Sequence, residues 1–263
     1  MKKVEIFIHR NCVDCNILLD WLEQKNLLGK VQVIDTELYP FLALERGVLS
    51  TPSIFVDGKL YFAGVVDYDE LERILEFDTV PVKSNLDKEK LVEKLMEGIT
   101  NSFAVTAWIY VNRDFDALFA QKEFIMAITG LVNSSNSEEL YNYLRTIMLK
   151  EGEKYLEKWK DVMIRRIATN FVRELYWLYN RKIDAEEVKR KYPLETFAHW
   201  LMIRGGAVGR VGLRIHSLSN VNVLSRIAEV CDYLFKNYDE LWFKVIQEQD
   251  KIKERESKRM LTL

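Results

Sequence analysis

The chain has 263 residues, 48% of them hydrophobic and 30% charged, enough apolar material for a sizeable core and a length that points to two domains. With 38 basic against 40 acidic residues the formal net charge is −2, which speaks against a nucleic-acid binder. No run of about twenty apolar residues is present, so no membrane partner is expected, and the amino terminus has a strand pattern rather than the shape of a signal peptide.

Val4, Ile6 and Ile8 alternate with Glu5, Phe7 and His9, the period of a β-strand. That strand runs into Cys12-Val13-Asp14-Cys15, after which Ile17, Leu18, Trp21 and Leu22 recur at helical spacings. Cys12 therefore falls at a helix start, where unsatisfied amides and the positive end of the dipole stabilise a thiolate. Cys15, one turn further in, lies where it can attack a mixed disulfide at Cys12 and release the product. Asp14, between the two, pulls the other way by disfavouring negative charge.

Such a pair needs neither metal nor base. A zinc site would require a second Cys/His pair, but Cys231 is the remaining cysteine and His199 and His216 are isolated from each other, so no metal is expected. A structural disulfide closing so short a loop would contribute little, which leaves redox exchange, with an inactive vestigial pair as the plainer alternative. Three cysteines without a secretion signal point to the cytoplasm.

Val31 to Asp35 reads as a second strand, parallel to the first. A short helix from Tyr39 to Arg46 closes at Gly47. Strands at 53–57 and 60–63 meet at Asp57-Gly58, a hairpin-turn dipeptide. Tyr68 to Phe77 forms a helix with Leu71, Ile74 and Leu75 on one face. The order βαβαββα, with right-handed crossovers, gives a four-stranded mixed sheet with helices on both faces.

The Cys12/Cys15 pair, followed about forty residues later by Ser50-Thr51-Pro52-Ser53 and the hairpin, resembles the thioredoxin and glutaredoxin superfamily over residues 1 to about 80. The resemblance implies an α/β thioredoxin-like domain at 1–78, Cys12 as nucleophile and Cys15 as resolving thiol. It also implies a cis-proline loop at Thr51-Pro52 whose backbone docks a thiol or cysteine peptide like an added strand. This chain departs from the pattern in having Val13-Asp14 between the cysteines and Ile6 where thioredoxins place a buried carboxylate. Arg10, Gly64 and Asp67 stand where glutaredoxins hold glutathione, but the match is loose and argues against that thiol as a cofactor. Residues 1–80 hold 8 Lys/Arg and 14 Asp/Glu, a balance of −6, while the rest holds 30 and 26, a balance of +4.

Residues 79–86 read as a linker within FDTVPVKSNLD, with Pro81 as breaker and Ser84, Asn85 and Asp87 as N-cap candidates. From 87 to 263 helical periodicity recurs in blocks near 86–112, 114–131, 137–180, 184–216 and 220–257, which predicts an all-α bundle of five to seven helices. Gly152 is the expected break in the longest block. Trp108, Trp159, Trp177, Trp200 and Trp242 read as core, and Cys231 as a buried small hydrophobe. The run from Arg204 to Arg214 lacks the preceding strand that a phosphate loop requires. Close helix packing through Gly205 and Gly209, or an anion site at Arg204, Arg210 and Arg214, are its two readings.

The functional expectation is a thiol–disulfide oxidoreductase acting on a protein or small-molecule disulfide, with the helical domain choosing the partner. Two alternatives stand beside it. One is a glutathione-transferase-like enzyme, suggested by the two-domain layout although the Glu-Ser signature after the hairpin is replaced by Ala63-Gly64-Val65-Val66-Asp67. The other is a non-enzymatic redox sensor or adaptor. The residues of the helical half resemble no family.

Overall fold

The first strand, β1 (Val4–Ile8), is buried along its whole length. The computed structural model describes residues 2–77, 79, 87–179, 181–209 and 215–262, and only the helical backbone of 205–209, 256 and 258–262. The expected alternation holds, with both faces of the strand covered. Val4, Ile6 and Ile8 pack with Leu18 and Leu22 of α1 (Val13–Gln24) and with Leu71, Ile74 and Leu75 of α3 (Tyr68–Phe77). On the other face Phe7 meets Phe55 edge-on, their ring centroids 5.3 Å apart. Glu5 shares that face, and its buried carboxylate is paired with Lys3 at 2.8 Å and Arg46 at 3.3 Å. Without those partners, burying its charge would cost several kcal/mol.

The other strands are β2 (Gln32–Asp35), β3 (Ser53–Val56) and β4 (Lys59–Ala63), in the spatial order β2-β1-β3-β4. β1 runs parallel to β2 and antiparallel to β3, and β3 pairs antiparallel with β4. Asp57 and Gly58 both have positive φ, 49° and 80°, the combination a two-residue hairpin turn requires. Between β2 and β3, α2 (Pro40–Glu45) ends at Gly47, whose φ of 63° makes it the left-handed residue after the helix. The mixed four-stranded sheet and the βαβαββα order are as the sequence predicts.

From residue 87 onward the described residues form nine α-helices, more than the five to seven expected. They are α4 (Lys88–Asn101), α5 (Phe103–Asn112), α6 (Phe115–Phe119), α7 (Lys122–Thr129), α8 (Ser137–Tyr179), α9 (Ala185–Lys191), α10 (Leu194–Gly209), α11 (Val221–Lys236) and α12 (Tyr238–Thr262). The additional breaks are short enough to leave the apolar period intact. At Ser102, for example, one extended residue (φ −96°, ψ 112°) separates α4 from α5. Conversely, the break expected at Gly152 is absent, and α8 is unbroken for 43 residues. Gly152 is needed for close approach, since a Cβ there would lie 2.4 Å from the Phe115 ring. Asp87 is the N-cap of α4, accepting the Glu89 N–H at 3.0 Å, whereas Ser84 and Asn85 lie outside the described residues.

The chain divides into two compact units, Met1–Ser102 with Phe115–Gly152, and Phe103–Asp114 with Glu153–Leu263. The first unit thus contains α4, α6 and α7 besides the thioredoxin-like elements. In it α7 packs against β4 and α4, and Tyr61 Oη donates to Asn133 at 2.6 Å, which donates to the buried Glu70 at 2.8 Å. In the second unit α5 packs on α10 and α11, and Phe171 centres an aromatic cluster with Tyr192, Phe197 and Trp200. Trp108 and Trp242 are buried, while Trp159, Trp177 and Trp200 are half-buried. No described helix is long and apolar enough to cross a membrane.

Candidate active site

Cys12 is the N-cap of α1, with extended backbone (φ −97°, ψ 121°) and its side chain turned back over the first helical turn. Its Sγ accepts the Cys15 N–H at 3.2 Å and the Cys15 S–H at 2.6 Å. The loop before it is fixed by Asn16, whose buried amide donates to the carbonyls of Arg10 at 2.8 Å and Cys12 at 3.0 Å. Across the site the Thr51–Pro52 peptide is cis, and the Thr51 carbonyl lies 3.5 Å from Cys12 Sγ, placed to accept its S–H.

This arrangement separates the two thiols chemically. The hydrogen bond from the Cys15 side chain is the largest influence on Cys12 and outweighs burial. With the Cys15 amide and the Thr51 side chain it holds Cys12 below the ordinary thiol range, although the Asp14 charge pulls upward. Burial holds Cys15 well above that range, reinforced by its bond to Cys12 and by the Cys12 charge. Of the two thiols, Cys12 is therefore the one that ionises first, while Cys15 keeps its proton.

Beside the pair lies a groove of about 200 Å³ lined by Asp14, Pro52, Gly64, Val65, Val66, Tyr68 and Asn101. Gly64 has a φ of 79°, and a Cβ there would sit 3.4 Å from Asn101 Cβ. A side chain would thus be both strained and crowded at this position. Asn101 is the last residue of α4, and its neighbour Ser102 donates to the Leu49 carbonyl at 2.6 Å, just ahead of Thr51-Pro52. Sequence reasoning gives no docking role to Val65, Val66, Tyr68 or Asn101, and Asn101 is the farthest of them from the proline loop along the chain. Nothing local marks a helix-terminal asparagine some fifty positions from the proline loop as a wall of this site.

The predicted docking residues divide. Thr51, Pro52 and Gly64 come together at the site, while Arg10 and Asp67 are not among the residues lining the groove. Arg10 is ion-paired with Asp35 at 3.1 Å and Glu37 at 2.9 Å. Asp67 holds the start of α3, its carboxylate accepting the Glu70 N–H at 3.0 Å and its carbonyl the Leu71 N–H at 2.9 Å. Arg204 is ion-paired with Glu174, and Arg210 and Arg214 lie outside the described residues. His199 Nδ1 is 2.6 Å from the Glu195 carbonyl, and the His216 backbone N–H donates to Asn112 at 2.9 Å. Cys231 is buried within α11, which together with neighbouring negative charge pushes its thiol up to about 11.

Residues 2–76 match the family model described as the thioredoxin domain. No curated protein and no solved structure matches the chain. The strand order, the dithiol at the head of α1 and the proline loop facing it agree with that match, and residues 2–76 are a thioredoxin-superfamily segment carried within a longer, mainly helical chain.

Proposed function

We propose that the chain is a thiol–disulfide oxidoreductase. The Cys12 thiolate attacks one sulfur of a substrate disulfide, forming a Cys12–substrate disulfide and expelling the other sulfur as a thiolate that takes a proton from solvent. Cys15 then gives up its proton and attacks Cys12 Sγ, forming the Cys12–Cys15 disulfide and releasing the second substrate thiol. The two cysteines lose two electrons and two protons, and the substrate gains both. A dithiol donor reverses the sequence and returns the pair to its reduced form.

The observation that carries this reading is the asymmetric hydrogen bonding at Cys12 Sγ, which accepts from both the amide and the thiol of Cys15 at the head of a helix. The Thr51 carbonyl beside it offers a backbone acceptor to an incoming chain. A glutathione-specific site has less support, because Arg10 is engaged by Asp35 and Glu37, and Asp67 by the first turn of α3. The helical region enters the reaction through Asn101, as part of the wall against which a substrate would rest. A reducing compartment such as the cytoplasm would return the pair to its dithiol form after each turnover.

The test is the equilibrium redox potential of Cys12/Cys15, measured by thiol trapping across defined redox buffers with Cys12→Ser as control. A reversible two-electron transition between about −120 and −270 mV supports dithiol exchange. Thiols that never pair across that range leave a binding module with a thioredoxin-like shape.

A further inference from the structure

We infer that the groove beside Cys12 selects disulfides by charge, admitting cationic and neutral substrates and disfavouring anionic ones, with Asp14 as the residue that sets the preference. The inference rests on the exchange reading above. It concerns which disulfide reaches the pair.

Four observations carry it. Asp14 is the charged residue in the groove lining, the others being Pro52, Gly64, Val65, Val66, Tyr68 and Asn101. It is exposed, on the first turn of α1, two residues after the nucleophile. Arg10, the cation that the thioredoxin-like pattern offers for an anionic substrate, is engaged by Asp35 and Glu37. The surrounding field has the same sign, since residues 1–80 hold 8 Lys/Arg and 14 Asp/Glu. A substrate carboxylate entering the groove therefore meets like charge at short range, within a surrounding field of the same sign. The Asp14 charge already acts on Cys12 itself, raising its pKa against the stronger lowering influences.

Asp14 is thus a positioning and specificity residue. It forms no bond to the substrate sulfur. Its effect falls on the approach of the charged ends of the substrate and on the intermediate, in which one of those ends is held at Cys12 as a mixed disulfide.

The experiment uses the full chain, pre-reduced, in single-turnover reduction of three disulfides of similar size: cystamine (dicationic), bis(2-hydroxyethyl) disulfide (neutral) and 3,3′-dithiodipropionate (dianionic). Each rate is divided by that of dithiothreitol with the same disulfide at the same pH, which removes differences in leaving-group chemistry. The expected normalised preference for cystamine over the dianion is about tenfold at low ionic strength. It shrinks as salt is raised through the range where the Debye length falls below about 10 Å. In Asp14→Asn it falls by about threefold or more. A normalised ratio near one, or one favouring the dianion, while the neutral disulfide still reacts, overturns the inference and leaves the exchange reading intact. A preference that survives Asp14→Asn unchanged overturns the assignment to Asp14. Failure to reduce even the neutral disulfide overturns the exchange reading, and this inference with it. Because the salt series is run on the unaltered protein, a variant that fails to fold does not remove the test.

Discussion

Cys12 and Cys231 are the same residue in two regions of one chain, and the structure drives them in opposite directions. Cys12 heads α1, where an amide and a thiol donate to its sulfur. Cys231 sits inside α11, where the backbone amides are already used by the helix, and burial with Asp232 and Glu195 nearby pushes it to about 11. Burial is present at both positions and raises both pKa values. At Cys12 the hydrogen bonds outweigh it, and at Cys231 no hydrogen bond counters it. Donors at the sulfur, more than exposure, decide which thiol can act as a nucleophile.

The largest effect that could break this comparison is loss of function at the first site alone. Cys12→Ser is expected to drop disulfide reduction to background, and Cys231→Ser to leave it near the unaltered rate. Equal loss in both would show that Cys231 takes part in the chemistry. Next in size is the difference in reactivity. A thiol near 11 carries about a hundredth or less of the thiolate of an ordinary cysteine at neutral pH. Iodoacetamide at pH 7 should therefore modify Cys12 at least about a hundredfold faster than Cys231, as read by mass spectrometry of the two peptides. Comparable rates would contradict the assignment.

The pH dependence follows from the same directions. Because Cys12 is held below the ordinary thiol range, its alkylation rate should level off at lower pH than that of a free thiol. Cys15→Ala removes the largest lowering influence and should move that profile back upward. A profile unchanged by Cys15→Ala would mean that the amides of α1 alone set the thiolate. A smaller and purely structural effect tests the seat of the groove wall. At Gly98 of α4 an added Cβ would lie 2.4 Å from Ile128 Cβ. Gly98→Ala gains about 1 kcal/mol of helix propensity but meets an overpacking cost of about 1–3 kcal/mol. A net loss of up to about 2 kcal/mol in urea unfolding is expected, and a gain in stability would show that α4 sits further from α7.

How much of this was readable beforehand differs between the regions. The dithiol segment was legible because its determinants are local. Alternating Val4, Ile6 and Ile8 specify a strand, Cys12 falls where the helical period begins, and Asp57-Gly58 supplies the positive φ values of a tight turn. The helical region was legible in composition but not in its punctuation. A single extended residue such as Ser102 interrupts a helix without disturbing the apolar period around it. Gly152 carries the opposite lesson, because a glycine inside a helix looks like a break until the Phe115 ring against it is known.

By itself the amino-acid sequence determined the order of strands and helices in the first eighty residues and the placement of Cys12 and Cys15 at a helix start, because each rests on periods and turns a few residues long, while the proline loop facing the pair came from the family resemblance. Only the tertiary structure decided that the Cys15 thiol donates to the Cys12 sulfur, that Arg10 and Asp67 serve the fold, and that Asn101 walls the groove. Those outcomes depend on which groups meet across tens of residues of chain, and no short-range pattern records which distant partner will be near enough to donate, to pair or to fill space.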